Sequence, residues 1–301
     1  MKQPLVYTIV LTWNSKEFIE KCINSVLAST YPTEILIIDN NSTDGTEEYI
    51  RKKFNSVKFI QNNKNLGYAG GNNVGIREAL KMKADFIFIL NPDATIAQNC
   101  ISELVNTMLL DTEIGMASPK IYYQSNPKKI WFAGGIIDWK KGLTPHIGYN
   151  EVDRGQYNSN SYMDRVCGCA VMIRTESLNK IGLLDENYFL YFEETDLSVR
   201  FTNNRYKLLY VSEAECWHKT SSSTGGHFSP LYQYYMTRNN LYFMSKYGGK
   251  YSYIFLLHFL NRNVKNIFQI IIVKKNKSLP VIISLLKGVM DYYLHNFGKQ
   301  R

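Results

Sequence analysis

The chain has 301 residues, of which 45% are hydrophobic and 20% charged, so it can bury a sizeable core and is neither disordered nor collagen-like. Its five cysteines are odd in number and form no Cys-x-x-Cys pair, which argues against a disulfide scaffold and a zinc ribbon. The net charge of +9 lies entirely within residues 246–301, where ten Lys and Arg accompany one acid, Asp291. This distribution argues against a nucleic-acid binder and predicts a neutral globular body with a basic tail.

The first part of the chain alternates apolar runs with helical patterns. Strands are predicted at residues 6–11, 35–38, 57–60 and 86–90, and the helices between them include residues 46–54 and 72–82. Asn14, with Glu17 three residues later, predicts the N-terminal cap of the first helix. Four consecutive strand–helix units predict a parallel sheet that binds ligands at the carboxyl ends of its strands.

The second part is less regular. Glycines and Pro145 interrupt residues 120–161, which predicts a mixed, partly antiparallel region over that edge of the sheet. Strands are predicted at 166–173 and 207–211, and helices at 194–202 and 231–247. The tail has three short apolar stretches, at 253–260, 267–273 and 279–286, each too short to cross a bilayer and separated by basic residues.

Polar residues collect where the predicted strands end, and Asp39 is one of them. Its carboxylate can accept hydrogen bonds from a base N–H or a ribose hydroxyl. The alternative is that Asp39 and Asp44 only cap the next helix. No G-x-G-x-x-G follows the first strand and no G-x-x-x-x-G-K-[ST] occurs, so a dinucleotide oxidoreductase and a P-loop NTPase are both disfavoured.

Three acids, Glu193, Glu194 and Asp196, lie within four residues. Repulsion among carboxylates tends to raise the pKa of one of them, as a general base requires. The alternative is that they complement the dipole at the N-terminus of a helix.

Five segments occur in an informative order: TWN at 12–14, IDNNSTDG at 38–45, NLGYAGGN at 65–72, NPD at 91–93 and FEETDL at 192–197. Together they resemble the motif series of the family 2 inverting glycosyltransferases, and most of all the bacterial rhamnosyltransferase-like branch. The resemblance covers roughly residues 4–245, and LKGVMD at 286–291 is also similar to that branch.

The resemblance implies a site for a nucleotide-diphospho-sugar and a divalent cation, Mg²⁺ or Mn²⁺, on its diphosphate. The implied nucleotide-binding residues are Thr12, Asn14, Asp39, Asn41, Asn65, Gly67, Asn72 and Asn91. The implied metal ligands are Asp93 and His218, with Asn91 standing where the family's Asp-x-Asp motif has its first acid. Glu194 falls at the catalytic acid, usually an Asp, and is predicted to be the base; Glu193 and Asp196 are predicted to position the acceptor or the loop.

The predicted fold is α/β and of the GT-A type: a doubly wound, mostly parallel sheet with a small mixed sheet and a C-terminal helical tail. Residues 1–245 are expected to form the glycosyltransferase domain, with a nucleotide-binding half at 1–119 and an acceptor-side half at 120–245. Residues 246–301 are expected to form a basic amphipathic tail.

The predicted function is transfer of a sugar, rhamnose from dTDP-rhamnose, with inversion to a hydroxyl of a cell-surface glycan or a lipid-linked acceptor. The alternatives are a UDP-sugar donor, a sugar-nucleotide nucleotidyltransferase and a non-catalytic membrane-surface partner. The chain is expected to be cytoplasmic and peripheral on the inner face of the membrane, with the basic tail on anionic lipid. A homodimer through the C-terminal helices is the alternative use of that tail.

Overall fold

The computed structural model describes residues 3–219, 226 and 228–300. Within those residues ten strands are present: β1 Val6–Thr12, β2 Glu34–Asp39, β3 Lys58–Gln61, β4 Phe86–Leu90, β5 Ala94–Ile96, β6 Ile114–Tyr123, β7 Asn126–Phe132, β8 Ser161–Tyr162, β9 Ala170–Arg174 and β10 Lys207–His218. The α-helices of the same residues are α1 Ile19–Leu27, α2 Thr46–Lys53, α3 Gly67–Lys81, α4 Cys100–Leu110, α5 Thr175–Ile181, α6 Glu193–Asn203, α7 Pro230–Tyr247, α8 Ser252–Lys274 and α9 Ser278–Tyr293.

The strands form one twisted path in the order β3-β2-β1-β4-β9-β6-β10-β5, with β7 on β6 and β8 on β10. Strands β1 to β4 pair in parallel, as do β6 and β10, whereas β9 is antiparallel to both of its neighbours. Strand β4 is buried along its whole length because parallel sheets are covered on both faces. The predicted α/β class and mostly parallel sheet are therefore confirmed.

The described residues divide into two compact units. The sheet unit comprises residues 3–136, 146–185 and 194–219, and holds all the strands. The helical unit comprises residues 137–145, 186–193, 226 and 228–300, and includes α7, α8 and α9. Helix α7 runs through residue 245, where the sequence predicts a domain boundary.

Within the helical unit, α9 packs closely against α7. A Cβ on Gly288 of α9 would lie 2.6 Å from the carbonyl oxygen of Tyr234 in α7, so only glycine permits this approach. None of the helices among the described residues has the length and apolarity needed to cross a membrane.

The predicted cap at Asn14 is wrong. Helix α1 begins at Ile19, and Asn14 has a φ of +52° in the turn before it. The Asn14 side chain instead accepts a hydrogen bond from the backbone N–H of Thr43, 2.8 Å away, and Asp44 accepts one from the N–H of Lys16 at 3.0 Å. Hydrogen bonds therefore connect the turn after β1 to the turn after β2, and Asn14 contributes to that connection instead of capping a helix.

Other boundaries differ from the sequence prediction as well: α3 begins at Gly67 instead of residue 72, and β10 runs to His218 instead of residue 211. Strand β9 begins at Ala170, because the N–H groups of Val166 and Cys167 bond the hydroxyls of Ser198 and Ser118 instead of a neighbouring strand. In the tail, the first two apolar stretches belong to the single helix α8.

Candidate active site

The turn after β2 organises the first part of the carboxyl edge. Asp39, the last residue of β2, is buried, and its carboxylate accepts hydrogen bonds from the backbone N–H of Ser42 at 2.9 Å and the Ser42 hydroxyl at 2.5 Å. A carboxylate can accept about four hydrogen bonds, so Asp39 keeps acceptor capacity for a ligand. Asp44, by contrast, accepts from the N–H and hydroxyl of Thr46 at the start of α2. Asp44 therefore caps the start of α2, which is the alternative role that the sequence left open for both Asp39 and Asp44.

The loop before α3 is held against the same edge by asparagines. Asn40, next to Asn41, donates to the Gly67 carbonyl at 2.9 Å. The side chain of Asn65 accepts from the Gly67 N–H at 2.8 Å, and Gly67 has a φ of +75° that favours glycine. Asn41 itself has a φ of +63°, a conformation that asparagine tolerates better than most residues.

Two of the predicted nucleotide-binding residues present unused acceptors. The hydroxyl oxygen of Thr12 and the amide oxygen of Asn72 are buried and have no hydrogen-bond partner among residues 3–219, 226 and 228–300. The Asn72 amide nitrogen is already fixed, because it donates to the Tyr68 carbonyl at 3.0 Å. Buried polar atoms without partners are costly, so these two oxygens are suited to meet a ligand.

Strand register brings Asp93 and His218 together. Strand β10 pairs antiparallel with β5 so that His218 faces Ala94, the residue after Asp93. The Nε2 atom of His218 then lies 3.1 Å from Oδ1 of Asp93, and both side chains are buried. Asn91 precedes them at the end of β4, where its N–H donates to the Cys169 carbonyl at 2.8 Å.

These two side chains could hold a divalent cation on a diphosphate. The Nδ1 atom of His218 is buried without a hydrogen-bond partner in the described part of the chain. Carboxylate and imidazole are both ligands of divalent metals. No group of three or more His, Cys, Asp and Glu side chains suited to a metal occurs among the described residues, so phosphate oxygens and water would complete the shell.

A cavity of about 190 Å³ borders Asp93. Its lining includes Glu17, Phe18, Lys21, Asp93, Gln124 and Lys219. The ammonium of Lys219 lies 3.0 Å from the carboxylate of Glu17, and its backbone N–H donates to the Asp93 carbonyl at 3.0 Å. Lys21 and Lys219 are the basic residues of this lining, and ammonium groups suit phosphate oxygens.

Glu194 occupies the first turn of α6, and its side chain is 21% exposed. Its Oε1 lies 3.9 Å from Nη1 of Arg165, which is buried. Burial raises the pKa of Glu194, and the charge of Arg165 opposes that rise. The backbone of Gly168 also comes close, since a Cβ there would lie 3.7 Å from the Cβ of Glu194. The arrangement is that of a partly accessible carboxylate with an elevated pKa, as a general base needs.

The other two acids of this cluster have different surroundings. Asp196 is fully buried and accepts a 2.8 Å hydrogen bond from Nε of Arg200. The same Arg200 donates to the carbonyls of Ile181 and Leu183 at 3.0 and 2.7 Å, so the pair fastens α6 to the segment after α5. Glu193 is also buried. These contacts suit the positioning role predicted for Asp196 and leave Glu194 as the most accessible acid of the three.

Sequence reasoning missed Arg165 and the ring of His146. The Nδ1 atom of His146 lies 2.9 Å from the Trp131 carbonyl, and the centroid of the Trp131 ring lies 4.6 Å from that of His146 and 4.7 Å from that of His218. Burial, and then the charge of Arg165, lower the pKa of His146 to about 3, so this imidazole is neutral. Neither residue belongs to a recognisable motif, and their places follow from long-range packing.

Aromatic side chains can stack on sugar rings, and Trp131, Trp139 and Tyr191 are three candidates in this chain. Trp131 packs against His146 and His218. Trp139 instead stacks on Phe243 within the helical unit, with ring centroids 5.7 Å apart. Tyr191 packs edge-on against Tyr232 in the same unit.

A mostly parallel sheet with polar residues at the carboxyl ends of its strands is the architecture of α/β enzymes that bind nucleotides at that edge. The family model for Glycosyl transferase family 2 matches residues 7–182, more than half of the chain. The chain belongs to glycosyl transferase family 2 and is a glycosyltransferase.

Relatives and solved structures agree with this assignment. The chain is 24% identical over 235 residues to N-acetylglucosaminyl-diphospho-decaprenol L-rhamnosyltransferase of Mycobacterium tuberculosis (strain CDC 1551 / Oshkosh), covering 72% of this chain and 76% of that protein. The structure of GalNAc-T7 with UDP, GalNAc and Mn²⁺ matches with a TM-score of 0.60 at 21% identity, covering 71% of this chain and 44% of that one. The mannosyltransferase PcManGT of Pyrobaculum calidifontis with GDP-Man and Mn²⁺ matches with a TM-score of 0.59 at 12% identity, over 98% and 88% of the two chains. The GT-A fold predicted from the sequence is confirmed.

Proposed function

We propose that this enzyme transfers rhamnose from dTDP-rhamnose, with inversion, to a hydroxyl of a cell-surface glycan or a lipid-linked acceptor. The observation that carries the proposal is Glu194: a 21% exposed carboxylate with a raised pKa beside a buried arginine, in the first turn of α6. The rhamnosyltransferase name of the Mycobacterium tuberculosis relative supports the choice of sugar. A UDP-sugar is the second candidate donor, favoured by the UDP in the GalNAc-T7 structure.

The donor is proposed to bind along the carboxyl edge of the sheet. Asp39 and the unpartnered oxygens of Thr12 and Asn72 are the acceptors for base and ribose N–H and O–H groups. The remaining predicted residues at this edge are Asn14, Asn41, Asn65, Gly67 and Asn91. Most of them shape the turns, as Asn14 and Asn65 do through their bonds to Thr43 and Gly67.

Asp93 and His218 are proposed to hold Mg²⁺ or Mn²⁺ against the diphosphate, in line with the Mn²⁺ of both solved glycosyltransferases named above. A bound divalent cation neutralises charge that develops on the leaving diphosphate. Lys21 and Lys219, which line the cavity beside Asp93, would add cationic contacts to the same oxygens.

The chemistry is a single displacement at the anomeric carbon. The acceptor oxygen forms its bond to that carbon as the bond to the diphosphate breaks, and the acceptor proton passes to a carboxylate oxygen of Glu194. Burial raises the pKa of Glu194, which favours uptake of the proton, and the charge of Arg165 opposes that rise. Asp196 and Glu193 are proposed to hold the start of α6 in place.

The helical unit is proposed to rest on the anionic inner face of the cell membrane, where a lipid-linked acceptor would lie. Helix α8 presents one stripe of exposed apolar side chains at helical spacing, and α9 presents another. They are Tyr253, Leu257, Leu260, Val264, Phe268 and Ile271 on α8, and Leu279, Ile283, Leu286 and Met290 on α9. The same segment of the chain carries five lysines, Lys265, Lys274, Lys275, Lys277 and Lys287. Apolar faces with neighbouring cationic side chains are typical of helices that lie in a headgroup layer. A homodimer through these helices is the competing use of the same surface.

A donor panel tests the proposal. Purified chain is mixed with dTDP-rhamnose, UDP-sugars or GDP-sugars in the presence of Mn²⁺, and the thermal unfolding midpoint is measured, since ligand binding raises it by mass action. We expect the largest rise with dTDP-rhamnose, followed by release of dTDP when a lipid-linked acceptor extract is added. A rise with UDP-sugars alone would assign the donor to the second candidate.

A further inference from the structure

The segment before α6 has an unusual backbone. Phe189, Tyr191 and Phe192 all have positive φ angles, of 62°, 69° and 75°. Bulky aromatic residues rarely adopt this conformation, and it persists only where the surroundings hold it. Helix α6 begins at the very next residue, Glu193, with Glu194 in its first turn.

Two adjacent side chains of α7 hold this segment within the helical unit. The two amide hydrogens of Asn239 are shared among the carbonyls of Tyr188, Leu190 and Tyr191, whose oxygens lie 2.9, 2.7 and 2.9 Å from the amide nitrogen. Arg238 donates to the carbonyls of Asn187 and Tyr188 at 3.0 and 2.9 Å. Both side chains are fully buried, and the Asn239 oxygen accepts from Nε of Arg238 at 2.9 Å, so each orients the other.

The C-terminal residues complete the arrangement. Arg238 donates to the Gly298 carbonyl at 2.7 Å, and the Gly298 N–H donates to the Asn187 carbonyl at 2.8 Å. A buried guanidinium directed at backbone carbonyls of two separate segments specifies their conformation closely, since each lost bond would leave a buried polar group without a partner.

We propose that Arg238 and Asn239 are positioning residues of the transfer reaction: they hold residues 187–191 in the conformation from which α6 starts, and thereby set the position of the Glu194 carboxylate. The inference rests on the proposed role of Glu194 as the base. Arg238 and Asn239 would act through the backbone of residues 187–191 and not through a contact of their own with Glu194.

Asn240 provides a matched control. It is the next residue of α7, is equally buried, and also donates to a backbone carbonyl, that of Gly142 at 2.8 Å. Asn239→Ala and Asn240→Ala therefore remove the same group from the same helix, but only the first releases the segment before α6.

For Asn239→Ala we expect kcat to fall roughly 10–100-fold, with the KM for the donor within about twofold of wild type, because a small misplacement of a reacting group is costly. Asn240→Ala should keep kcat within about threefold. Circular dichroism and the thermal midpoint check that each variant is folded.

If Asn239→Ala does not fold, Arg238→Lys replaces it, because lysine keeps the charge but lacks the forked geometry of the guanidinium. An equal loss of kcat in both asparagine variants, or no loss in either, would overturn the proposal.

A double variant separates positioning from general damage. If Asn239 acts through Glu194, adding Asn239→Ala to Glu194→Gln should lower the residual rate little further, whereas independent effects would multiply. Multiplied losses would contradict the proposal. If Glu194→Gln alone retains wild-type turnover, the base assignment fails; if Glu194→Gln is inactive and Asn239→Ala is fully active, only the positioning role fails.

Discussion

The sheet unit and the helical unit are stabilised in different ways. In the sheet unit, one large apolar cluster contains buried residues from strands and helices alike, and the polar site residues lie at its edge. In the helical unit, an apolar cluster of Ile270, Val281 and Leu285 accompanies a set of buried polar side chains on α7. That set includes Gln233, Thr237, Arg238, Asn239 and Asn240.

This difference predicts what substitutions will do. At the edge of the sheet unit the core supplies the stability, so exchanging a polar side chain should change binding or chemistry while leaving the fold intact. On α7 the polar side chains bond the backbone themselves, so exchanges there should affect conformation first.

The largest effect is expected for Glu194→Gln in the sheet unit. The amide keeps the size of the side chain but cannot accept the acceptor proton, so turnover should fall by roughly two to four orders of magnitude. Donor binding, measured calorimetrically, and the thermal midpoint should stay close to wild type. If Glu194→Gln keeps its turnover while Asp196→Asn abolishes it, the base lies two residues further along.

Asp93→Ala should have the next largest effect. Loss of the carboxylate should remove the response of donor binding to Mn²⁺ and lower activity about 100-fold, since several kcal/mol of charge stabilisation depend on the cation. Asp39→Asn is the control at the same edge: it should weaken nucleoside diphosphate binding equally with and without Mn²⁺. Superimposable Mn²⁺ titrations of wild type and Asp93→Ala would exclude a metal role for Asp93.

Local pattern sufficed for much of the sheet unit. Continuous apolar runs such as FIFIL at 86–90 predict buried parallel strands, and the polar residues that follow them predict the edge where Asp39 and Asp93 lie. The position of β9 between β4 and β6 could not be predicted, because its antiparallel pairing joins residues that are far apart in sequence. His218 was placed by resemblance alone, since its approach to Asp93 depends on the register of β10 on β5.

The helical unit was harder to predict for a physical reason. Periodicity assigns polar residues on a helix to its exposed face, whereas Arg238 and Asn239 are buried and bond the segment at 187–191. Likewise nothing in the local pattern distinguishes Arg165, whose importance comes from its distance to Glu194.

A moderate effect is expected for membrane binding by the helical unit. Lys275→Gln with Lys277→Gln removes two exposed charges of the tail, each worth about 1 kcal/mol at an anionic surface, so partition onto phosphatidylglycerol vesicles at low salt should weaken roughly 10–30-fold. Lys52→Gln with Lys64→Gln makes the same charge change on the sheet unit and should leave partition unchanged. Equal vesicle binding by both pairs would refute the membrane proposal, and dimers in light scattering without vesicle binding would favour self-association. Point variants are preferable to deleting the tail, because Gly298 bonds Arg238 and Asn187.

The smallest effect at neutral pH is expected from Arg165. Its charge lowers the pKa of Glu194, which burial raises above the ordinary value of 4.5. A general base works in its ionised form, so kcat/KM should rise with pH through this pKa and level off above it.

Arg165→Gln removes the opposing charge 3.9 Å away and should move the acidic limb of the profile upward by about one pH unit or more, whereas Arg165→Lys should leave it nearly in place. Loss of the Arg165 charge also removes one cause of the low pKa of His146, but burial, the main cause, persists in both variants. The measurement is kcat/KM from pH 4.5 to 8.5 for the three proteins, at saturating Mn²⁺. Above the limb the variants should differ little from wild type, and a limb that shifts downward in Arg165→Gln would show that the titrating group is not a carboxylate beside this arginine.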